Sequence, residues 1–337
     1  YSLPVTASWQ VDLFGQLLNS KRNAQVTLKQ TKAYRQAVQT QVISNIANMY
    51  YTLMMLDRQL EITKSTAEIL KKNAETMEAM KDAAMYNINS TGVEQSKAAY
   101  AQVLASIPDI EQSIRETENA LSTFLGEAPH AIKRGTLEAQ VFPTELSAGV
   151  PIQLLSNRPD VKAAEMALAS CYYNTNSARA AFYPSITLSG SAGWTNSAGS
   201  MIVNPGKFLA SAVASLTQPL FNKGANIAQL KIAKAQQEEA RLSFEQTLLN
   251  AGVEVNEALV QYQTAREKAD YYNKQVASLQ TAAKSTSLLM KHGNTTYLEV
   301  LTAQQTLLNA QLSQVANRFT EIQGVITLYQ ALGGGRM

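Results

Sequence analysis

Few side chains in this chain of 337 residues are equipped for covalent or acid–base chemistry. His130 and His292 are the only histidines and Cys171 is the only cysteine, so no internal disulfide can form. No His/Cys spacing suits a zinc site, and both histidines read as surface residues. Cys171 lies in a helical run and reads as a small buried hydrophobe. No glycine-rich phosphate loop occurs. The acidic residues are spread along helices, where solvated faces account for them. No catalytic, metal or cofactor site is assigned, and the chain is not expected to be an enzyme. A net charge of +3 with no prominent basic cluster leaves nucleic-acid binding without an electrostatic footprint. What remains is the chemistry of partition: which faces are apolar and which are wet.

The stretch from Lys207 to His292 organises the rest. Phe208 to Leu216 alternates apolar with small polar residues. Thr217-Gln-Pro219-Leu-Phe-Asn-Lys-Gly224 turns the chain, and a helix-forming run reaches about Met290. Between Gly224 and Gly293 there is no proline and one glycine, Gly252; strong helix formers dominate. At 1.5 Å per residue such a helix is about 100 Å long, well beyond the reach of a small domain. From Gln16 to Tyr86 proline and glycine are again absent. Val42, Ile46, Met49, Leu53, Leu56 and Leu60, continued by Ala67, Leu70, Ala74, Met77 and Ala84, mark a coiled-coil seam. Asn87-Ile-Asn-Ser-Thr-Gly92 breaks it. A second helix follows from Val93 to Leu125, with Val93, Tyr100, Ile107, Ile114 and Leu121 at sevens and a kink expected at Pro108. Gly126 and Pro129 end it. Two helices with matching seams and a short turn read as an antiparallel hairpin. Lys291-His-Gly-Asn-Thr-Thr296 repeats the turn. Leu298, Leu301, Leu308, Leu312, Val315, Phe319, Ile322, Ile326 and Tyr329 then form the last seam.

The plan recurs because the sequence does. Ala7-Ser8 matches Ala214-Ser215, Leu13-Phe14 matches Leu220-Phe221, Gln39-Thr40 matches Gln246-Thr247 and Leu125-Gly126 matches Leu332-Gly333, all 207 residues apart. A constant offset predicts two halves with nearly equal element lengths. The second half has a lead-in: a helix from Arg158-Pro159-Asp160-Val161 to about Ala181, and a strand from Pro184 to Trp194. Its first-half counterpart would precede residue 1. The opening Tyr1-Ser-Leu-Pro-Val reads as mid-domain sequence without a signal-peptide pattern, so the chain is read as N-terminally truncated.

Three segments alternate with period two. Leu3, Val5, Ala7, Trp9, Val11 and Leu13 share one face, as do Ile186, Leu188, Gly190, Ala192 and Trp194, and Phe208 to Thr217 follows the same pattern. About ten residues is the length a tilted membrane strand needs. An apolar face opposite a Ser/Thr/Gln face suits lipid on one side and a wet lumen on the other. Trp9 and Trp194 could serve an interfacial girdle. An ordinary antiparallel sheet with one solvated face has the same pattern. Three strands cannot close a barrel, and open edges cannot stand in lipid, so closure would need other copies. No run of about 18 apolar residues provides a transmembrane helix.

At Ser8-Trp-Gln-Val-Asp-Leu-Phe-Gly15, Arg158-Pro-Asp-Val161, Tyr183-Pro-Ser-Ile-Thr-Leu188, Gln218-Pro-Leu-Phe221 and Leu298-Glu-Val-Leu-Thr-Ala-Gln304 the chain resembles the TolC-like outer-membrane efflux channels. The Arg-Pro-Asp-Val stretch resembles the OprM-like branch, which serves resistance–nodulation–division multidrug pumps. The resemblance implies a mainly α fold with membrane β-strands: long helical hairpins forming a coiled-coil α-barrel tunnel, joined to outer-membrane β-barrel strands, in a homotrimer with an internal repeat. It divides the chain into an outer-membrane strand (1–14), a periplasmic hairpin (15–126), an equatorial linker (127–157), a helix (158–182), an outer-membrane β-hairpin (183–221) and a second periplasmic hairpin (222–333). A lipidated N-terminal cysteine, common in the branch, would lie ahead of residue 1.

By the same resemblance, the hairpin tips meet a periplasmic adaptor that links the channel to an inner-membrane transporter. Those tips are Asn87, Asn89, Ser90, Thr91, Gly92 and Val93, and Gly293, Asn294, Thr295, Thr296 and Tyr297. Glu299 matches an acidic residue that lines the periplasmic constriction in related channels, and Thr302 stands at a second, usually acidic, position. Met290 and Thr295 replace a Tyr and an Arg that lock the closed tip in some members. Three symmetry-related Glu299 carboxylates would favour cations; a solvated glutamate at a helix start is the plainer reading. The function implied is a passive exit duct for drugs and small molecules in a tripartite efflux system. A conduit for type I protein secretion, or a soluble periplasmic coiled-coil scaffold, are the alternatives.

Overall fold

The computed structural model describes residues 2–82, 90–140, 158–195, 207–292 and 295–334. The order is β1 (Ser2–Val11), α1 (Gln16–Asp82), α2 (Ser90–Leu125), α3 (Pro159–Ala180), β2 (Ser185–Thr195), β3 (Lys207–Thr217), α4 (Ala225–Lys291) and α5 (Tyr297–Ala331). Two compact units result, residues 1–37 with 156–250 and residues 38–155 with 251–337.

The first unit holds an antiparallel sheet in the order β1-β2-β3. Its register puts Val5 opposite Ala192 and Trp9 opposite Leu188, with Ala210 and Ala214 next in those rows on β3. Directly paired residues share a face, so the three alternating patterns add into one apolar face. The opposite face carries Thr6, Ser8 and Gln10 with Ser189, Ser191 and Ser211, and Ser191 and Ser211 exchange a hydroxyl hydrogen bond of 2.7 Å. Val213 falls on this polar face against the pattern. Among the described residues nothing covers the apolar face: Val5 is 75% and Leu216 69% exposed. Pro4 is tolerated because β1 is an edge strand. Its partner is Gly193, where a Cβ would lie 2.6 Å from the Pro4 Cα.

Helix α3 fits beneath the sheet through small residues and short hydrogen bonds. The Ser170 hydroxyl donates to Asn23 on α1 (2.5 Å), the Asn23 amide donates to Asn174 (2.9 Å), and the buried Thr175 hydroxyl donates to the Ala233 carbonyl on α4 (3.1 Å). The Arg-Pro-Asp-Val stretch builds the helix start. Pro159 takes the first helical turn, and the buried Arg158 forks onto Asp160 at 3.0 and 2.7 Å. Burial pushes the Asp160 carboxyl up, but Arg158 outweighs it and holds the group below its ordinary value.

The second unit is built from two hairpins. Lys64 pairs with Glu111 and Lys97 with Glu78, so α1 and α2 run antiparallel. Helices α4 and α5 do likewise: Asn317 donates to the Ala265 carbonyl and Gln314 to Asn273. The seams meet in a core of Met54, Ile62, Ala67, Leu70, Val103, Leu308, Val315, Ile322 and Ile326. Leu298 and Tyr329, expected in the seam, point outward, and Tyr297 and Val300 occupy the core instead. Helix α2 continues through Pro108. After α2 the chain runs as an irregular strap. Leu137 enters the core, and Arg134 bonds Asp57 on α1 at 2.5 and 2.8 Å and Glu118 on α2 at 2.5 Å.

The repeat is present in the structure. Helices α1 and α4 have 67 residues each but begin 209 residues apart, at Gln16 and Ala225. Gly126 and Gly333, both with positive φ behind the short helices, are 207 apart. A glycine with positive φ precedes the long helix in both halves, Gly15 before α1 and Gly224 before α4. The 207-residue matches continue inside the two long helices, where Val26 and Ala233 are both buried, so only the start of the helix shifts by two residues.

Candidate functional site at the hairpin tips

All four helices of the second unit contribute to one cluster at the tips: Met77 from α1, Val93 from α2, Met290 from α4, and Tyr297 and Val300 from α5. Asn87, Asn89, Gly293 and Asn294 lie outside the described residues. Of the expected contact residues that are described, Ser90, Thr91 and Thr296 are exposed and Gly92 and Thr295 are partly so. Val93 and Tyr297 are buried, and their side chains fill the space between the helices beside the tips. Burial pushes the Tyr297 hydroxyl above its ordinary pKa, against a smaller contribution from Ser96.

Helix α5 starts on Thr296 in an extended conformation, without a side-chain cap of its own. The Thr295 hydroxyl donates to the Glu299 carboxylate, and the Glu299 backbone N–H donates to the Thr296 carbonyl. Glu299 therefore closes the first turn, where a negative charge also meets the positive end of the helix dipole. It remains exposed, one turn from the exposed Thr302, whose hydroxyl donates back to the Leu298 carbonyl at 2.8 Å. Met290 is in the buried cluster and offers no hydrogen bond. The ion pair of Lys97 with Glu78, at 2.7 Å, staples α2 to α1 just above the first tip and holds the Glu78 carboxyl below its ordinary value.

The chemistry-bearing residues lie elsewhere and do structural work. His130 Nδ1 sits 3.0 Å from the Ala128 carbonyl and 3.5 Å from the Ser122 hydroxyl. The His292 backbone N–H closes the last turn of α4. Burial pushes the half-buried Cys171 thiol up, with a further push from Glu239. Among the described residues no three His, Cys, Asp or Glu side chains converge as metal ligands would.

A face of lipid-ready strands, two antiparallel hairpins and an internal repeat define a class of membrane duct. Residues 1–127 and 150–334 match the family model described as outer membrane efflux protein, and the chain belongs to that family. It is 29% identical to the cation efflux system protein CusC of Escherichia coli over 336 residues, covering 99% of this chain and 73% of that one. It is 30% identical to the pyoverdine export outer membrane protein OpmQ of Pseudomonas aeruginosa over 341 residues, covering 99% and 70%. The fold superposes on a crystal structure of CusC with a TM-score of 0.93 at 29% identity, covering 99% of this chain and 78% of that one. The TolC-like resemblance is thus borne out, and the chain is an outer-membrane efflux channel subunit that reaches into the periplasm.

Proposed function

We propose that three copies of this chain form a passive exit duct for small molecules, fed by an inner-membrane pump through a periplasmic adaptor. The observation that carries this reading is the sheet: one apolar face lies bare, and β1 and β3 both end it with unpaired edges. Such edges are a liability in water and are forbidden in lipid. Sister copies that continue the sheet remove both problems at once. The strand segments 1–14 and 183–221 then lie in the outer membrane. The hairpins 15–126 and 222–333 form the periplasmic tunnel, with 127–157 as the belt and 158–182 as the helix beneath the barrel. The chain contributes wall and does no catalysis.

The adaptor is received by the exposed tip residues Ser90, Thr91 and Thr296 with their neighbours Asn87, Asn89, Gly293 and Asn294. Gly92 and Thr295 shape the same surface, and Val93 and Tyr297 support it from below. Glu299 and Thr302 border the constriction. The relatives are named for cation efflux and pyoverdine export, which favours solute efflux over type I protein secretion as the role. Deleting the gene and measuring susceptibility to drugs and metal salts beside the amount of secreted protein tests this. Raised susceptibility with normal secretion supports the duct; lost secretion with unchanged susceptibility overturns it. Purified chain that stays monomeric and soluble without detergent would instead restore the scaffold.

A further inference from the structure

The net charge of +3 conceals a local imbalance. From Gln16 to Ala37 the chain carries Lys21, Arg22, Lys29, Lys32 and Arg35 and no acidic residue; from Gln218 to Gln237 it carries Lys223, Lys231 and Lys234 and again none. All eight are exposed, and none forms an ion pair among the described residues. These segments are roughly the first six turns of α1, after β1, and the exit from β3 with roughly the first three turns of α4.

Directly between strands and charges lies an uncovered apolar layer. Phe221 is 98% exposed, Leu13 and Leu220 are also bare, and Phe14 stacks on Tyr183 with ring centroids 4.6 Å apart. The helices continue the order on one face: Leu18 then Lys21 and Arg22 on α1, and Ile227 then Lys231 on α4. Both halves of the repeat thus place apolar side chains near the strand exit and basic ones three to four residues, about 5–6 Å, further along the helix. That step matches the depth from hydrocarbon to headgroup in a bilayer.

We propose that this collar binds anionic phospholipid in the leaflet on the helix side of the sheet. Phe14, Leu220 and Phe221 contact the acyl boundary, while Lys21, Arg22 and Lys231 hold headgroup phosphates. Lysine and arginine suit this arrangement because their stems lie along apolar surface while their charges reach outward. Clustered basic residues beside a membrane gain from each anionic headgroup they meet. The proposal rests on the outer-membrane placement of the sheet and adds to it a depth and a lipid preference.

The test uses single-tryptophan versions of the full chain in vesicles of phosphatidylcholine with phosphatidylglycerol, in which one lipid at a time carries brominated acyl chains. Trp9, retained with Trp194→Phe, reports insertion of the sheet. Phe221→Trp, combined with Trp9→Phe and Trp194→Phe, reports the collar. The expected result is quenching at position 221 about two-fold stronger from brominated phosphatidylglycerol than from brominated phosphatidylcholine. That preference should vanish in Lys21→Gln/Arg22→Gln/Lys231→Gln and at high salt. Equal quenching by both lipids overturns the headgroup site. Quenching at Trp9 with none at position 221 shows that a sister copy covers the collar, and also overturns it. No quenching at either position sinks the membrane placement itself.

Discussion

At the scale of single residues, Glu299 and Arg134 make opposite kinds of argument. Glu299 is exposed and has a local role, accepting the Thr295 hydroxyl at the start of α5. If its charge also sets the constriction, Glu299→Ala should reduce cation preference in planar bilayers, while Thr295→Val, which keeps the charge, should leave that preference in place. Equal loss in both variants would mean that the turn matters and the charge does not. Arg134 is largely buried and bridges Asp57 and Glu118 from two different helices. Arg134→Ala leaves both carboxylates facing each other without their cation, and should destabilise the folded chain by about 2–3 kcal/mol in urea titrations. Arg134→Lys should recover only part of this, since an ammonium cannot replace the fork. Glu299 was legible as a solvated residue at a helix start, and the bridging role of Arg134 was not legible at all. Glu299 came to notice by resemblance alone, and Arg134 sits in a strap whose irregular sequence carries no period to read.

At the scale of elements, the sequence was most informative where one geometric rule governs many residues. The absence of proline and glycine from Gln16 to Tyr86 and the period-two runs were enough to place α1 and all three strands, and the register then put the expected apolar residues on one face. The last seam was shifted at its start because Tyr297, a residue expected at the surface, is large enough to fill the tip cluster and displaces Leu298 outward. A close approach between helices left a fainter trace, a lone glycine inside α5. A Cβ on Gly324 would lie 3.0 Å from the Tyr262 backbone nitrogen and 3.1 Å from its Cα. A backbone cannot swing aside as a side chain can, so Gly324→Ala must push α4 and α5 apart. The expected cost is about 1–3 kcal/mol, visible as a lower unfolding midpoint. Gly252→Ala on α4, where nothing lies within 4 Å, is the control and should stabilise the helix by about 1 kcal/mol. Equal behaviour of the two variants would refute the contact.

At the scale of the whole molecule, the chain leaves more apolar surface bare than a self-sufficient protein should. Val5, Trp9 and Leu216 form part of a continuous apolar sheet face that nothing among the described residues covers. Two environments could cover it, lipid or the packed core of an assembly, and a charge placed on it separates them. Near the middle of a membrane strand, an outward-facing arginine costs about 2–4 kcal/mol, whereas a lumen-facing one is tolerated. Val5→Arg and Thr6→Arg are neighbours in β1 on opposite faces. If Val5 meets lipid, the Val5→Arg variant should insert poorly and yield little channel in outer-membrane fractions. Thr6→Arg should assemble near normal yield and shift ion selectivity instead. The reverse pattern would place Thr6 against lipid and turn the sheet inside out. Equal failure of both would mean that the sheet is buried on each side in protein, and the duct would have to be abandoned.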